Sequence, residues 1–166
     1  MSSMATFWRA SSSSGPSRAS DAAGLFLRIL GIDYGRRRIG LAVSDPTGTI
    51  ASPYDTIQRR AGKRPPLRRL AELAKDLGAE RLVVGLPLDL EGRETNWCAE
   101  VRAFGDALGE RLGLPVDYVD ERMTSVQAER AVRRLGLRKV ERERKGRVDA
   151  AAAALILQAW LDRRQT

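Results

Sequence analysis

Four acidic residues sit at places where a chain brings side chains to a ligand. Asp33 closes one apolar run, Asp120 and Glu121 close another, and Asp149 precedes a run of alanines through Ala154. In open α/β sheets, ligands bind at the carboxyl ends of strands, so acids at such ends can converge from distant parts of the sequence. The chain has no histidine. This excludes a His general base, the Ser-His-Asp and Cys-His nucleophile systems and any His metal site. Its single cysteine, Cys98, cannot close an intrachain disulfide or build a multi-thiolate zinc site, and it points to a reducing compartment. The donor set that remains is carboxylate oxygen, which suits a hard cation such as Mg²⁺ or Mn²⁺. The chain carries 29 basic against 21 acidic residues, a formal net charge of +8, and on such a background a carboxylate cluster points to phosphodiester chemistry. Each acid also has an ordinary structural use: Asp33 in a turn before Tyr34-Gly35, Asp120 and Glu121 as caps, and Asp149 at the positive end of a helix. Their coincidence gives the chemical reading its weight.

The basic residues are segregated. Thr56 to Ala71 holds six basic residues (Arg59, Arg60, Lys63, Arg64, Arg68, Arg69) and no acid, while Arg133 to Arg147 holds eight basic against two acidic. Clusters of this kind suit phosphate neutralisation, the alternative being a solvated charged face. Arg36, Arg37, Arg38, Lys145 and Arg147 flank the acids and are the candidates to grip a nucleic-acid backbone. The segment Gly85 to Gly92 leaves a strand towards a helix, where backbone amides can hold phosphate, but it lacks the spacing of a Walker loop. Ser44, Thr124 and Ser125 have no base partner and suit turns or caps; Trp97, Leu155 and Trp160 suit packing. Aromatics are 5% of the chain, and no base-stacking platform is evident.

The elements that must position these residues follow from periodicity. With 166 residues, 43% of them hydrophobic, the chain supports one soluble domain, and its longest apolar stretch, Ala150 to Leu161, is too short to span a membrane. Residues 1–27 contain eight serines and no sustained apolar pattern, and suit a disordered Ser-rich extension; residues 28–166 form the domain. Arg28–Asp33, Arg38–Ser44 and Ile50–Ile57 form three consecutive antiparallel strands, joined by turns at Tyr34–Arg37 and Asp45–Gly48. Leu67, Leu70, Leu73 and Leu77 fall at helical spacing, with Gly78 beyond them. Arg81–Gly85 is a buried strand, Asn96–Leu112 a helix ended by Gly113, and Val116–Asp120 a strand. Helices over Ser125–Leu135 and Val148–Arg163 complete the chain, the second placing Asp149 in its first turn. Strands separated by helices lie parallel, so the expected body is a mixed five-stranded sheet, three antiparallel strands then two parallel, with helices on both faces.

Several phrases then match one family together and in order. Gly31-Ile-Asp-Tyr-Gly35, Arg38-Ile-Gly-Leu-Ala-Val-Ser-Asp45, Val83-Val-Gly-Leu-Pro87, Asp120-Glu-Arg-Met-Thr124 and Lys145-Gly-Arg-Val-Asp149 resemble the YqgF (RuvX) family over roughly residues 28–163. The resemblance implies an RNase H-like fold related to the Holliday junction resolvases and a cytoplasmic nuclease that processes the 5′ end of pre-16S rRNA. It implies Asp33, Glu121 and Asp149 as catalytic residues and ligands for Mg²⁺ or Mn²⁺. The resolvase relatives carry an acid on the strand that ends here at Gly85, so Glu121 supplies that ligand from the neighbouring strand. Their fourth acid is Ala152 here. The expected partners are structured RNA (pre-rRNA) or branched DNA, without a membrane, bound by a monomer or weak homodimer. Two other readings stay open. One is a non-catalytic nucleic-acid-binding protein on the same fold. The other is an actin-like or sugar-kinase ATPase, whose first phosphate loop Gly-Ile-Asp-Tyr-Gly also resembles, but about 139 residues beyond the extension leave little room for the second domain it needs.

Overall fold

The computed structural model describes residues 28–60, 62–124 and 141–165, with the side chains of Met123 and of residues 141–146 outside that description. Strands β1 (Arg28–Tyr34), β2 (Arg38–Ser44) and β3 (Ala51–Gln58) are followed by helix α1 (Leu67–Asp76), strand β4 (Ala79–Leu86) and helix α2 (Asn96–Leu112). Strand β5 (Val116–Asp120), a 3-10 turn (Glu121–Met123) and helix α3 (Glu141–Arg164) complete the order. The five strands form one sheet in the order β3-β2-β1-β4-β5. The β1/β2 and β2/β3 pairs are antiparallel, and β1/β4 and β4/β5 are parallel. This is the expected mixed sheet, and the parallel half follows from the crossovers through α1 and α2.

Side chains alternate across the sheet with period two. Leu30, Ile32 and Tyr34 of β1 and Leu82, Val84 and Leu86 of β4 face α1 and α2, where Leu70, Val101, Phe104 and Leu108 close the larger core. Ile29, Ala42, Val83 and Val119 point the other way and pack on Ala152, Ala153, Ile156, Leu157 and Leu161 of α3. The alanines bring α3 close: a Cβ on Gly31 would lie 3.1 Å from the Ala153 carbonyl oxygen. At the open edge, β3 carries Pro53, paired with Ala42, and a register shift leaves Tyr54 unmatched by β2. The amide of Ala51 donates to Gln158 Oε1 of α3 at 2.9 Å.

Two expectations change. The last helix begins at Glu141, not Val148, so Asp149 lies two turns inside it and gains nothing from the helix end. Glu, Arg and Lys are strong helix formers and no proline interrupts 141–147, so the charged stretch continues the helix rather than bounding it. Ser44 is neither turn nor cap. It is buried in β2, and its Oγ accepts the Ile29 amide at 2.9 Å. The anticipated helix over Ser125–Leu135, most of the second basic cluster, and the 1–27 extension lie outside the described residues.

Candidate active site

Asp33 stands near the carboxyl end of the central strand, on the face that carries α3. Its antiparallel partner in β2 is Gly40. On its other side, β1 and β4 pair as far as Ile32 with Val84, so Gly85 is the residue beside it. Neither neighbour has a side chain, and both vacated spaces are used. A Cβ on Gly40 would collide with the carbonyl of Asp149, which is how the α3 backbone comes down onto β2. A Cβ on Gly85 would lie 2.8 Å from Glu121 Oε1, so the Glu121 side chain leans from the end of β5 across β4. A carboxylate thus reaches over the glycine at the end of β4.

The two carboxylates are deeply set: Asp33 is 5% exposed and Glu121 2%. Asp33, Glu121 and Asp149 line one cavity of about 390 Å³, together with Tyr34, Gly35, Arg36, Arg37, Arg38, Pro87 and Trp97. Asp149 faces Arg38, whose Nε donates to its Oδ2 at 2.6 Å. Among the described residues no three acid, Cys or His side chains stand close enough to clasp one metal ion. The donor chemistry nonetheless fits a hard divalent cation. Two buried carboxylates line one cavity beside glycines, and the third is held by an arginine that a stronger charge can replace. Asp120, one residue before Glu121, goes elsewhere. It accepts from Arg122 through both oxygens, and these bonds hold its carboxyl below the ordinary value.

Arg36 and Arg37 are exposed at the cavity mouth. Arg38 is half-buried against Asp149, which makes it a counter-charge to an acid before it is a phosphate ligand. Arg147 is exposed on α3, two residues before Asp149, and the side chain of Lys145 lies outside the described residues. Two basic-cluster and loop expectations fail locally. The Arg59 side chain is only 4% exposed; its guanidinium lies 4.5 Å over the Tyr34 ring and donates to the Gly35 carbonyl, bracing the turn from inside. The loop after β4 does not offer its amides to a phosphate. Asp89 Oδ1 accepts from the amides of Glu91 and Arg93, so a carboxylate of the chain itself fills that nest, and the Arg93 amide bond holds it below the ordinary value.

Sequence reasoning missed the aromatic wall of the cavity. Tyr34 stacks on Phe104 at 4.1 Å and 17°, and Trp97 stacks on Tyr34 at 5.5 Å and 15°. The Arg36 guanidinium lies 4.4 Å over the Trp97 ring. The available signal was positional: Trp97 opens α2 directly after the loop from β4, and Tyr34 follows Asp33.

A central antiparallel hairpin triplet continued by two parallel strands, with acids at the strand ends and a carboxylate brought down by the last helix, defines an RNase H-like fold. RuvC from T. thermophilus, solved in complex with a Holliday junction substrate, superposes with a TM-score of 0.51 at 18% identity, covering 84% of this chain and 96% of that one. The chain belongs to the RuvX family, described as "Holliday junction resolvase", whose model matches residues 27–163. Relatives named "Putative pre-16S rRNA nuclease" include one from Anaeromyxobacter sp. (strain K), 46% identical over 138 residues, covering 83% of this chain and 98% of the relative. Another, from Mycobacteroides abscessus, is 41% identical over 139 residues, covering 83% of this chain and 82% of the relative. No described helix is long and apolar enough to cross a membrane.

Proposed function

We propose that the chain is a metal-dependent endonuclease that hydrolyses phosphodiester bonds in structured RNA, acting in the cytoplasm on the 5′ end of pre-16S rRNA, the RNA that the names of its relatives give. The observation that carries this is the pair of buried carboxylates, Asp33 and Glu121, set over Gly40 and Gly85 beneath a mouth rimmed by arginines. Asp33, Glu121 and Asp149 would hold Mg²⁺ or Mn²⁺, which supplies the Lewis acidity and water activation that a chain without histidine lacks. Arg36 and Arg37 draw the phosphate backbone to the mouth. Arg38 holds Asp149 towards the cavity and balances its charge. Burial of Asp33 and Glu121 keeps competing solvent away from the carboxylates and fixes their orientation.

The test is incubation of pure wild type and Asp33→Asn with precursor rRNA and with branched DNA, each with and without Mn²⁺. Wild type cleaves the RNA only with the ion. The variant binds it undiminished and cleaves it at least about a hundredfold more slowly. Full activity of Asp33→Asn would remove this residue from the reaction. Preferential cleavage of the branched DNA would move the substrate to the one in the family description. A second reading, nucleic-acid binding without hydrolysis, is favoured by the pairing of Asp149 with Arg38, and binding with steep salt dependence but no ion-dependent cleavage would select it.

A further inference from the structure

Trp97 packs by one side against the larger core and by the other lines the cavity, where the hydrolysis gives it no task. It is half-buried, lines the same cavity as Asp33 and Glu121, and is set near-parallel on Tyr34, which is itself set on Phe104. Tyr34 faces α2 while Asp33 faces α3, so the aromatic wall and the carboxylates stand on opposite sides of one strand end. The guanidinium of Arg36, an exposed side chain, lies over the ring. A guanidinium is a replaceable cover, because a nearby phosphate offers it a stronger partner than an indole face. The cavity, about 390 Å³, is of small-ligand size and admits one nucleotide rather than a duplex.

We propose that Trp97, backed by Tyr34, is a stacking surface for one unpaired nucleobase next to the cleaved phosphodiester bond, and that Arg36 leaves the indole for the backbone phosphate when that base arrives. The proposal rests on the nuclease reading for the position of the bond and narrows its substrate to a nucleic acid with an unstacked nucleotide at the site. A base within a helix has both faces covered by its neighbours and cannot occupy the indole. A single-stranded extension, bulge or frayed end can.

The experiment uses full-length protein without divalent ion and a fluorescent RNA hairpin with a short single-stranded 5′ extension, against the same hairpin with a blunt end. Abasic nucleotides are scanned through the extension, and Trp97→Phe and Trp97→Leu are compared with wild type, each shown folded by its melting curve. Stacking predicts that Trp97→Leu weakens binding of the extended hairpin roughly 5- to 100-fold while Trp97→Phe keeps most of it. Blunt hairpin binding is equal in all three. One abasic position weakens wild type and leaves Trp97→Leu unchanged. Equal binding by wild type and Trp97→Leu, or parallel loss on both hairpins, overturns the proposal. If Trp97→Leu does not fold, the scan on wild type decides alone, and a flat scan overturns it. Ion-dependent cleavage by wild type with a flat scan refutes the stacking site and spares the nuclease. A single sensitive position in a protein that never cleaves refutes the nuclease and supports the stacking site.

Discussion

The two faces of the sheet are built on opposite rules. Towards α1 and α2 the strands present Leu30, Ile32, Leu82 and Val84 and fill space with bulk. Towards α3 they present Gly31, Gly40, Ala42 and Gly85 among Ile29, Val83 and Val119, and the helix backbone at Asp149 and Ala153 comes down on Gly40 and Gly31. The bulky face supplies stability, since each large buried side chain contributes a few kcal/mol. The bare face supplies room, and the acids occupy it. Room on the side of the proposed site is made by leaving side chains out, so additions there should do what deletions do on the other side.

The sharpest break is Gly40→Ala. Its methyl meets the Asp149 carbonyl, a backbone group that cannot swing aside, so α3 must lift. We expect a loss of more than about 3 kcal/mol, seen as a large fall in melting temperature, together with loss of cleavage. Next, Leu70→Ala on the bulky face should cost about 2–5 kcal/mol by the cavity it leaves, while cleavage per folded molecule stays at the wild-type level. Equal losses of activity in both variants would abolish the distinction between the faces. Gly85→Ala displaces only the ends of Ile156 and Glu121, so a cost of about 1–3 kcal/mol is expected in denaturant titration, with activity falling more than stability accounts for.

Added Mn²⁺ should raise the melting temperature of wild type by a few degrees and that of Asp33→Asn less, because the ion binds the folded state through that carboxylate. The smallest effect belongs to a turn remote from both faces. Asp45 accepts from the amides of Ile50 and Thr49, and these bonds hold its carboxyl at about 2 against an ordinary 3.8. A value lowered by folding means that the stabilisation is complete above the unfolded value and disappears as the pH falls through about 2. The melting-temperature gap between wild type and Asp45→Asn should therefore shrink across that window.

Much of this was legible in the sequence. Strands and helices with strong periodicity, such as Asn96–Leu112 and Val116–Asp120, stand where their patterns place them, because tertiary packing agrees with the local preference. The acids at strand ends were legible for the same reason. The start of α3 was not, because charge and helix formation are compatible and only proline or a cap would have marked a boundary. The pairing of Arg38 with Asp149 was hidden by 111 residues of separation, and the aromatic wall by assembly from β1 and two points of α2. The Gly85–Gly92 loop misled because its pattern promises free amides, and only the structure shows Asp89 folded back onto them.

The outer strand of the antiparallel half closes the sheet to further growth. Along β3, Pro53 has no hydrogen to donate, the amide of Ala51 is engaged by Gln158, and that of Thr56 by the carboxylate of Asp55. A second copy approaching this margin finds no continuous ladder to extend. Interruptions at these three positions disfavour growth of the sheet through the backbone on that side.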